Sequence, residues 1–136
     1  MPSTIAAIAT AVGGGIGIVR LSGPHAEPIL TALVRPWPKR APSHKLHLTK
    51  VYDPRSGQLI DEVLAVVMRR PRSYTGEDVA EIHGHGGRLM MERILDAALA
   101  AGAQLAQPGE FTRRAFEAGR IDLTREIGRA SCRERV

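Results

Sequence analysis

Glu81 and its neighbours carry the chain's clearest chemical signal. Residues 78–83 read Asp-Val-Ala-Glu-Ile-His, with Val79 and Ile82 apolar and Glu81 and His83 polar, a pattern that predicts a half-buried strand bearing a carboxylate. A carboxylate withdrawn from water needs partners. Glu81 is suited to accept hydrogen bonds side by side from a planar ligand with adjacent N–H donors, such as a pterin. An exposed strand position, or an ion pair with Arg20 or Arg88, fits the same pattern. His83 and His85 stand two apart, so both could face one metal ion with Glu77, Asp78 or Glu81 as a third ligand. That spacing matches no zinc motif, and a histidine between glycines also serves to bond backbone groups and hold a turn.

The glycine run ending at Gly17 invites comparison with phosphate-binding loops. The dinucleotide fingerprint needs glycine at i, i+2 and i+5, but the last position falls on Ile18 counted from Gly13 and on Arg20 counted from Gly15. No Gly-Lys-Ser/Thr follows either. The run is then a turn between strands, or a backbone that lets a ligand approach closely with Arg20 offering a cationic fork. In Pro-Gly-Glu-Phe-Thr-Arg-Arg-Ala-Phe (108–116), Phe111 and Phe116 are expected in the core, Thr112 as a helix cap, and Arg113 and Arg114 on a solvated face. No Ser/His/Asp or Cys/His nucleophile and no hydrolytic acid pair stands out.

The elements that must position these residues are short. Residues 4–10 and 16–21 read as strands around the glycines, and Ser22 is placed to cap a helix over 24–34. A proline-rich basic loop spans 36–42. Residues 46–52 and 59–68 form a predicted hairpin about a turn at 53–57, with Val63, Ala65 and Val67 on one face. A tight turn at 84–87 leads into the strongest predicted helix, 88–101, whose buried stripe is read as Leu89, Ile94, Leu95, Ala98 and Leu99, and Gly102 ends it. Residues 103–106 read as a strand, and 108–119 as a loop and short helix. The expected class is α+β (mixed α/β), a mixed sheet with flanking helices.

Composition narrows the function classes. The 136 residues carry a net charge of +5, which favours anionic partners, yet the cations look scattered and aromatics make up only 4%. Residues 126–136 (Glu-Ile-Gly-Arg-Ala-Ser-Cys-Arg-Glu-Arg-Val) break the apolar periodicity and contain the chain's one cysteine, Cys132. Reverse-translated, this string is compatible with read-through of a DNA-sequencing adapter. They are expected to be a non-native tail and are set aside, which leaves a body of net charge +4 once three Arg and two Glu are removed. Without Cys132 no disulfide framework or thiolate metal site is available. No apolar run reaches membrane-spanning length and no basic flank of a signal peptide precedes the first strand, so a soluble, cytoplasmic protein is expected.

These segments together resemble a known family. Gly-Gly-Ile-Gly-Ile-Val-Arg-Leu-Ser-Gly-Pro (14–24), Ser-Tyr-Thr-Gly-Glu-Asp-Val-Ala-Glu-Ile-His (73–83), His-Gly-Gly (85–87), the 108–116 segment and Asp-Leu-Thr (122–124) are similar, in order and spacing, to the N-terminal domain of the MnmE (TrmE) family of tRNA uridine-34 modification GTPases. The resemblance implies a tetrahydrofolate-binding domain like that of aminomethyltransferases at 1–120, which also mediates homodimerisation, the start of a truncated helical domain at 121–125, and the tail at 126–136. It further implies 5-formyl-tetrahydrofolate as cofactor, with Arg20, Glu81 and Arg120 at the family's folate contacts. GTP, K+ and Mg2+ would belong to the GTPase domain, which is absent from this sequence. An FAD-dependent partner of the MnmG type would act with the family on the wobble uridine of tRNA. No catalytic residue and no metal ligand is carried over, and the fragment alone is not expected to hydrolyse GTP. The first loop departs from the family's common Pro-Pro-Gly-Arg-Gly-Gly, reading Ala11-Val12-Gly13-Gly14-Gly15 and thus one cation poorer. The alternatives are a stand-alone folate-dependent one-carbon protein of the aminomethyltransferase type, or a basic RNA-binding module.

Overall fold

A computed structural model describes residues 3–9, 15–85 and 87–119. Ile5–Ile8 (β1) and Gly17–Ser22 (β2) pair antiparallel, and the helix Ala26–Leu33 (α1) runs directly into the two-residue strand Val34–Arg35 (β3). His47–Tyr52 (β4) and Leu59–Met68 (β5) form the expected hairpin, closed by the Gly57 N–H donating to the Asp53 carbonyl at 2.8 Å. Val79–Gly84 (β6), the helix Gly87–Ala100 (α2), Gln104–Leu105 (β7) and the helix Glu110–Glu117 (α3) complete the order. The seven strands form one sheet in the order β3-β4-β5-β6-β2-β1-β7. Among the described strands only β7 against β1 is parallel, so the sheet is mixed and the α+β expectation is met.

Side chains alternate across a strand, and this divides the sheet into two unlike faces. Ala6, Val19, Leu21, Val63, Ala65, Val67, Ala80 and Ile82 point one way and are closed by Ile29, Leu30 and Leu33 of α1 and by Met91, Ile94, Ala97 and Ala98 of α2 in one core. The opposite face carries Arg20, Glu81 and His83.

Glycine fixes how closely α2 can dock. Gly17 and Gly84 are directly opposed across β2 and β6, and the Met91 side chain fills the hollow above them. A Cβ on Gly17 would lie 2.4 Å from Met91 Cγ, and one on Gly84 would lie 2.8 Å from Met91 Cε. The stripe of α2 is accordingly rotated from the one expected. Met91 is buried and Leu89 is 72% exposed, while Leu95 and Leu99 pack at the rim of the core. At the helix end Gly102 takes φ +118°, as anticipated, and the Ala103 N–H bonds back to the Ala98 carbonyl at 3.1 Å.

Two expected caps are not made. Ser22 is the last residue of β2, and α1 begins after His25 with no side-chain cap. Thr112 lies inside α3, whose N-cap is Gly109 at φ +71°, and its hydroxyl meets Tyr74 Oη at 3.1 Å. The two phenylalanines also part company: Phe111 is buried and Phe116 is 42% exposed.

Candidate functional site

The ladder between β2 and β6 sets Arg20 directly opposite Glu81. Being in register, the two residues project from the same face, where the Arg20 Nε–H donates to Glu81 Oε2 at 2.8 Å. His83, two residues further along β6, emerges on that face too, and its Nε2 lies 2.9 Å from the other oxygen, Oε1. An ionised carboxylate only accepts, so His83 Nε2 carries the hydrogen. Of the partners anticipated for Glu81, a ligand or an ion pair with Arg20 or Arg88, the ion pair is with Arg20. His83 thus bonds the side chain of Glu81.

Glu81 is 12% exposed, so its charge is sustained by these partners. Burial pushes its carboxyl up most strongly of any single influence, but the His83 hydrogen bond and the Arg20 guanidinium together prevail and hold it below the usual carboxylate range. Arg20 spends only Nε on this pair, and its two terminal nitrogens make no hydrogen bond among the described residues. Behind it stands the Phe111 ring, with the guanidinium carbon 5.7 Å from the ring centroid. Arg20 thus presents a cationic fork of fixed direction beside a fixed carboxylate. Arg120, the third expected contact, lies outside the described residues.

Helix α3 brings Phe111 to this place, and Arg114 holds the helix there. Expected on a solvated face, Arg114 is instead 10% exposed and is the hub of a polar cluster under α3. Its Nη1 donates to the Ser3 carbonyl at 2.7 Å and to Glu77 Oε1 at 3.1 Å, and its Nη2 to Glu110 Oε2 at 3.1 Å. Ser22 Oγ donates to Glu77 at 2.8 Å and shares a hydrogen bond with Thr75 Oγ1 at 2.7 Å. The cluster ties α3, the end of β2, the 73–78 loop and the first described residues together. Arg113, its sequence neighbour, is exposed as expected and pairs loosely with Glu110 and Glu117.

The other expectations fall elsewhere. Of the glycine run, residues 10–14 lie outside the described residues, and Gly17 admits Met91 on the helix-covered face, away from the Arg20 side chain. His85 is exposed beyond the end of β6, and no group of three or more His, Cys, Asp or Glu suited to a metal ion occurs among the described residues. No described helix is long and apolar enough to cross a membrane.

Comparison with known proteins bears on this arrangement. Residues 4–120 match the family described as GTP-binding protein TrmE N-terminus. The chain is 59% identical over 124 residues to the tRNA modification GTPase MnmE of Syntrophotalea carbinolica, covering 89% of this chain and 27% of that protein. It is 53% identical over 129 residues to the protein of the same name from Carboxydothermus hydrogenoformans (91% and 28%). Against that of Geobacter sulfurreducens it is 56% identical over 122 residues (88% and 27%). The chain therefore spans little more than a quarter of the length of these curated relatives.

Proposed function

The chain belongs to the TrmE N-terminal family, and from that premise we propose that it is the folate-binding and dimerisation domain of a tRNA-modification GTPase, taking 5-formyl-tetrahydrofolate at Arg20 and Glu81. The observation that carries this reading is the Arg20–Glu81 pair, at 2.8 Å on the sheet face opposite the two core helices.

The residues present suit such a ligand. A reduced pterin offers adjacent N–H donors on one edge and, through its glutamate tail, carboxylates at the other end. Each Glu81 oxygen has one partner here and retains a second lone pair, so the carboxylate can accept from the pterin edge without releasing Arg20 or His83. The terminal nitrogens of Arg20 suit a ligand carboxylate, which a guanidinium grips with two parallel bonds. His83 and Phe111 keep the two groups from turning. Arg120 supplies a third contact in this reading. When bound, the folate supplies a one-carbon unit. The protein's part is to bind and orient it, and no residue of this chain is assigned a catalytic role.

The full-length partners belong to the same proposal. They are a second copy through this domain, an FAD-dependent protein of the MnmG type, and tRNA as the substrate modified at C5 of its wobble uridine, in the cytoplasm. GTP, K+ and Mg2+ are assigned to the part of the relatives that this chain does not span.

Calorimetric titration of 5-formyl-tetrahydrofolate into the chain tests the assignment. Saturable binding that weakens at least tenfold in Glu81→Ala supports it. Binding indifferent to both Glu81→Ala and Arg20→Ala removes these residues from the site.

A further inference from the structure

The positive charge is not spread over the molecule as its sequence suggests. Residues 28–52 contain Arg35, Lys39, Arg40, Lys45 and Lys50 and no Asp or Glu. Of nineteen Lys and Arg, these five leave fourteen for the rest of the chain, matched there by fourteen Asp and Glu. This segment, which forms most of α1, β3, the loop after it and β4, thus carries a charge equal to the chain's whole +5 and one more than the +4 of the body without residues 126–136.

The fold concentrates it further. The His44 N–H donates to the Val67 carbonyl at 2.8 Å and the Arg69 N–H to Ser43 Oγ at 3.0 Å. These bonds bring the basic loop against the end of β5, where Arg70 and Arg72 begin the next connection. Arg20, Arg55, Arg69, Arg88, Arg113 and Arg114 are all in ion pairs with acids. Every other described Lys or Arg except Arg93 lies on 28–52 or at 70–72, and none of them forms an ion pair among the described residues. Three acids do approach. Glu27 is clamped by Arg69 at 2.7 Å, Asp78 Oδ1 accepts from the Arg70 backbone N–H at 2.8 Å, and Glu62 stands opposite Lys50 across the hairpin, which offsets the charge of that one lysine. Arg35 is steadied without an acid, its guanidinium carbon 3.8 Å from the centroid of the Tyr52 ring.

We infer that this edge of the sheet, centred on Arg35, Lys39, Arg40 and Lys45, docks the phosphate backbone of an RNA stem. Cations that are exposed, unpaired and strung along an edge suit a polyanion, which repays contact by releasing its counterions. A small anion would call for convergent donors in a closed pocket. The two aromatics of this segment are already engaged, Trp37 against His47 with ring centroids 5.0 Å apart and Tyr52 beneath Arg35, so a helical stem suits the edge better than a single strand needing stacking platforms. Three strand spacings, roughly 14 Å at about 4.8 Å each, separate β3 from Glu81 on β6, so the edge cations and the proposed folate contacts are distinct sets of residues. The choice of RNA among polyanions rests on the function proposed above; the surface itself rests on the charge.

The test measures binding of a fluorescently labelled tRNA-length stem-loop RNA by anisotropy across a salt series. It uses the full chain, a triple variant Lys39→Ala/Arg40→Ala/Lys45→Ala, and a control triple Arg55→Ala/Arg88→Ala/Arg93→Ala with the same change in charge. The expected result is saturable binding by the parent chain whose logarithmic salt slope falls by about three in the edge variant, at roughly one per lost phosphate contact, and by less than one in the control. Equal losses in both triples, no saturable binding by the parent, or equal binding to polyglutamate each overturn the proposal. Titrating 5-formyl-tetrahydrofolate into the same proteins separates the two readings, because neither triple touches Arg20 or Glu81. RNA binding without folate binding sinks the folate site alone, and folate binding without RNA binding sinks this one alone.

Discussion

Arg20 and Glu81 are 61 residues apart in sequence and directly opposite in the sheet, joined at 2.8 Å through Nε alone. That geometry leaves both terminal nitrogens of the guanidinium without a hydrogen bond among the described residues. Replacing Arg20 with Lys should keep an ion pair but lose the fork, because an ammonium is a point charge. We expect Arg20→Lys to weaken 5-formyl-tetrahydrofolate at least tenfold in calorimetry while changing the melting temperature little. Full retention of affinity in Arg20→Lys would show that only its charge is used.

Arg114 should matter to the site although its own bonds go to Ser3, Glu77 and Glu110. Arg114→Ala strands Glu77 and Glu110 in a cluster of low exposure, and breaking a buried pair from one side costs about 3–5 kcal/mol. Urea denaturation should show a loss of about this size, and any folded fraction should bind folate more weakly because Phe111 is no longer held behind Arg20. A loss under about 1 kcal/mol, the scale of an exposed pair, would mean that α3 is anchored by Phe111 and Ala115 instead.

The pH dependence has a definite sign. The Glu81 carboxyl is held below the usual range in the folded chain, so its contribution to stability is complete above that range and disappears as pH falls through the folded value. Glu110 behaves alike: the Gln107 N–H lowers it most, and the Arg114 and Arg113 charges add to that against burial. Comparison with Glu81→Gln isolates the first group. The stability gap between parent and variant should be largest near neutrality and close in strongly acidic buffer. A gap that stays constant down the titration contradicts the assignment.

Gly17 gives a packing test. Gly17→Ala drives a Cβ into Met91 Cγ and Sδ, both 2.4 Å away, and overpacking of this kind costs about 1–3 kcal/mol. Met91→Ala removes the obstacle but leaves a cavity. The double variant should therefore be less destabilised than the sum of the two singles, which a cycle of urea melts measures directly. Strict additivity would place the strain elsewhere.

The paired strands are legible because half-burial writes a period of two into residues 46–52, 59–68 and 78–83. Val63, Ala65 and Val67 stand on one covered face as read. Arg114 is not legible. It is the same residue type as Arg113 one position earlier, and its burial depends on Ser3, 111 residues away, and Glu77, 37 away. Leu89 misleads for a related reason, since the hollow that selects Met91 is made by two glycines on other elements. Strand β3 is too short to show any period. The basic edge does leave a trace, in the complete absence of acids from 28 to 52, but cations spaced between prolines look dispersed until the loop and β4 gather them. Glu81 is the most readable residue, because a carboxylate at a half-buried strand position demands a partner whichever fold supplies it.

Both margins of the sheet, β3 and β7, are strands of two residues. A longer border would offer a row of free N–H and C=O groups on which a neighbouring chain could continue the ladder, the first step toward fibrous stacking. Here β3 covers only Lys50 and Val51 of β4, and β7 only Ile5 and Ala6 of β1, so each margin is stepped rather than straight. A stepped border gives an incoming strand no long straight edge to follow, which works against fibre-like stacking.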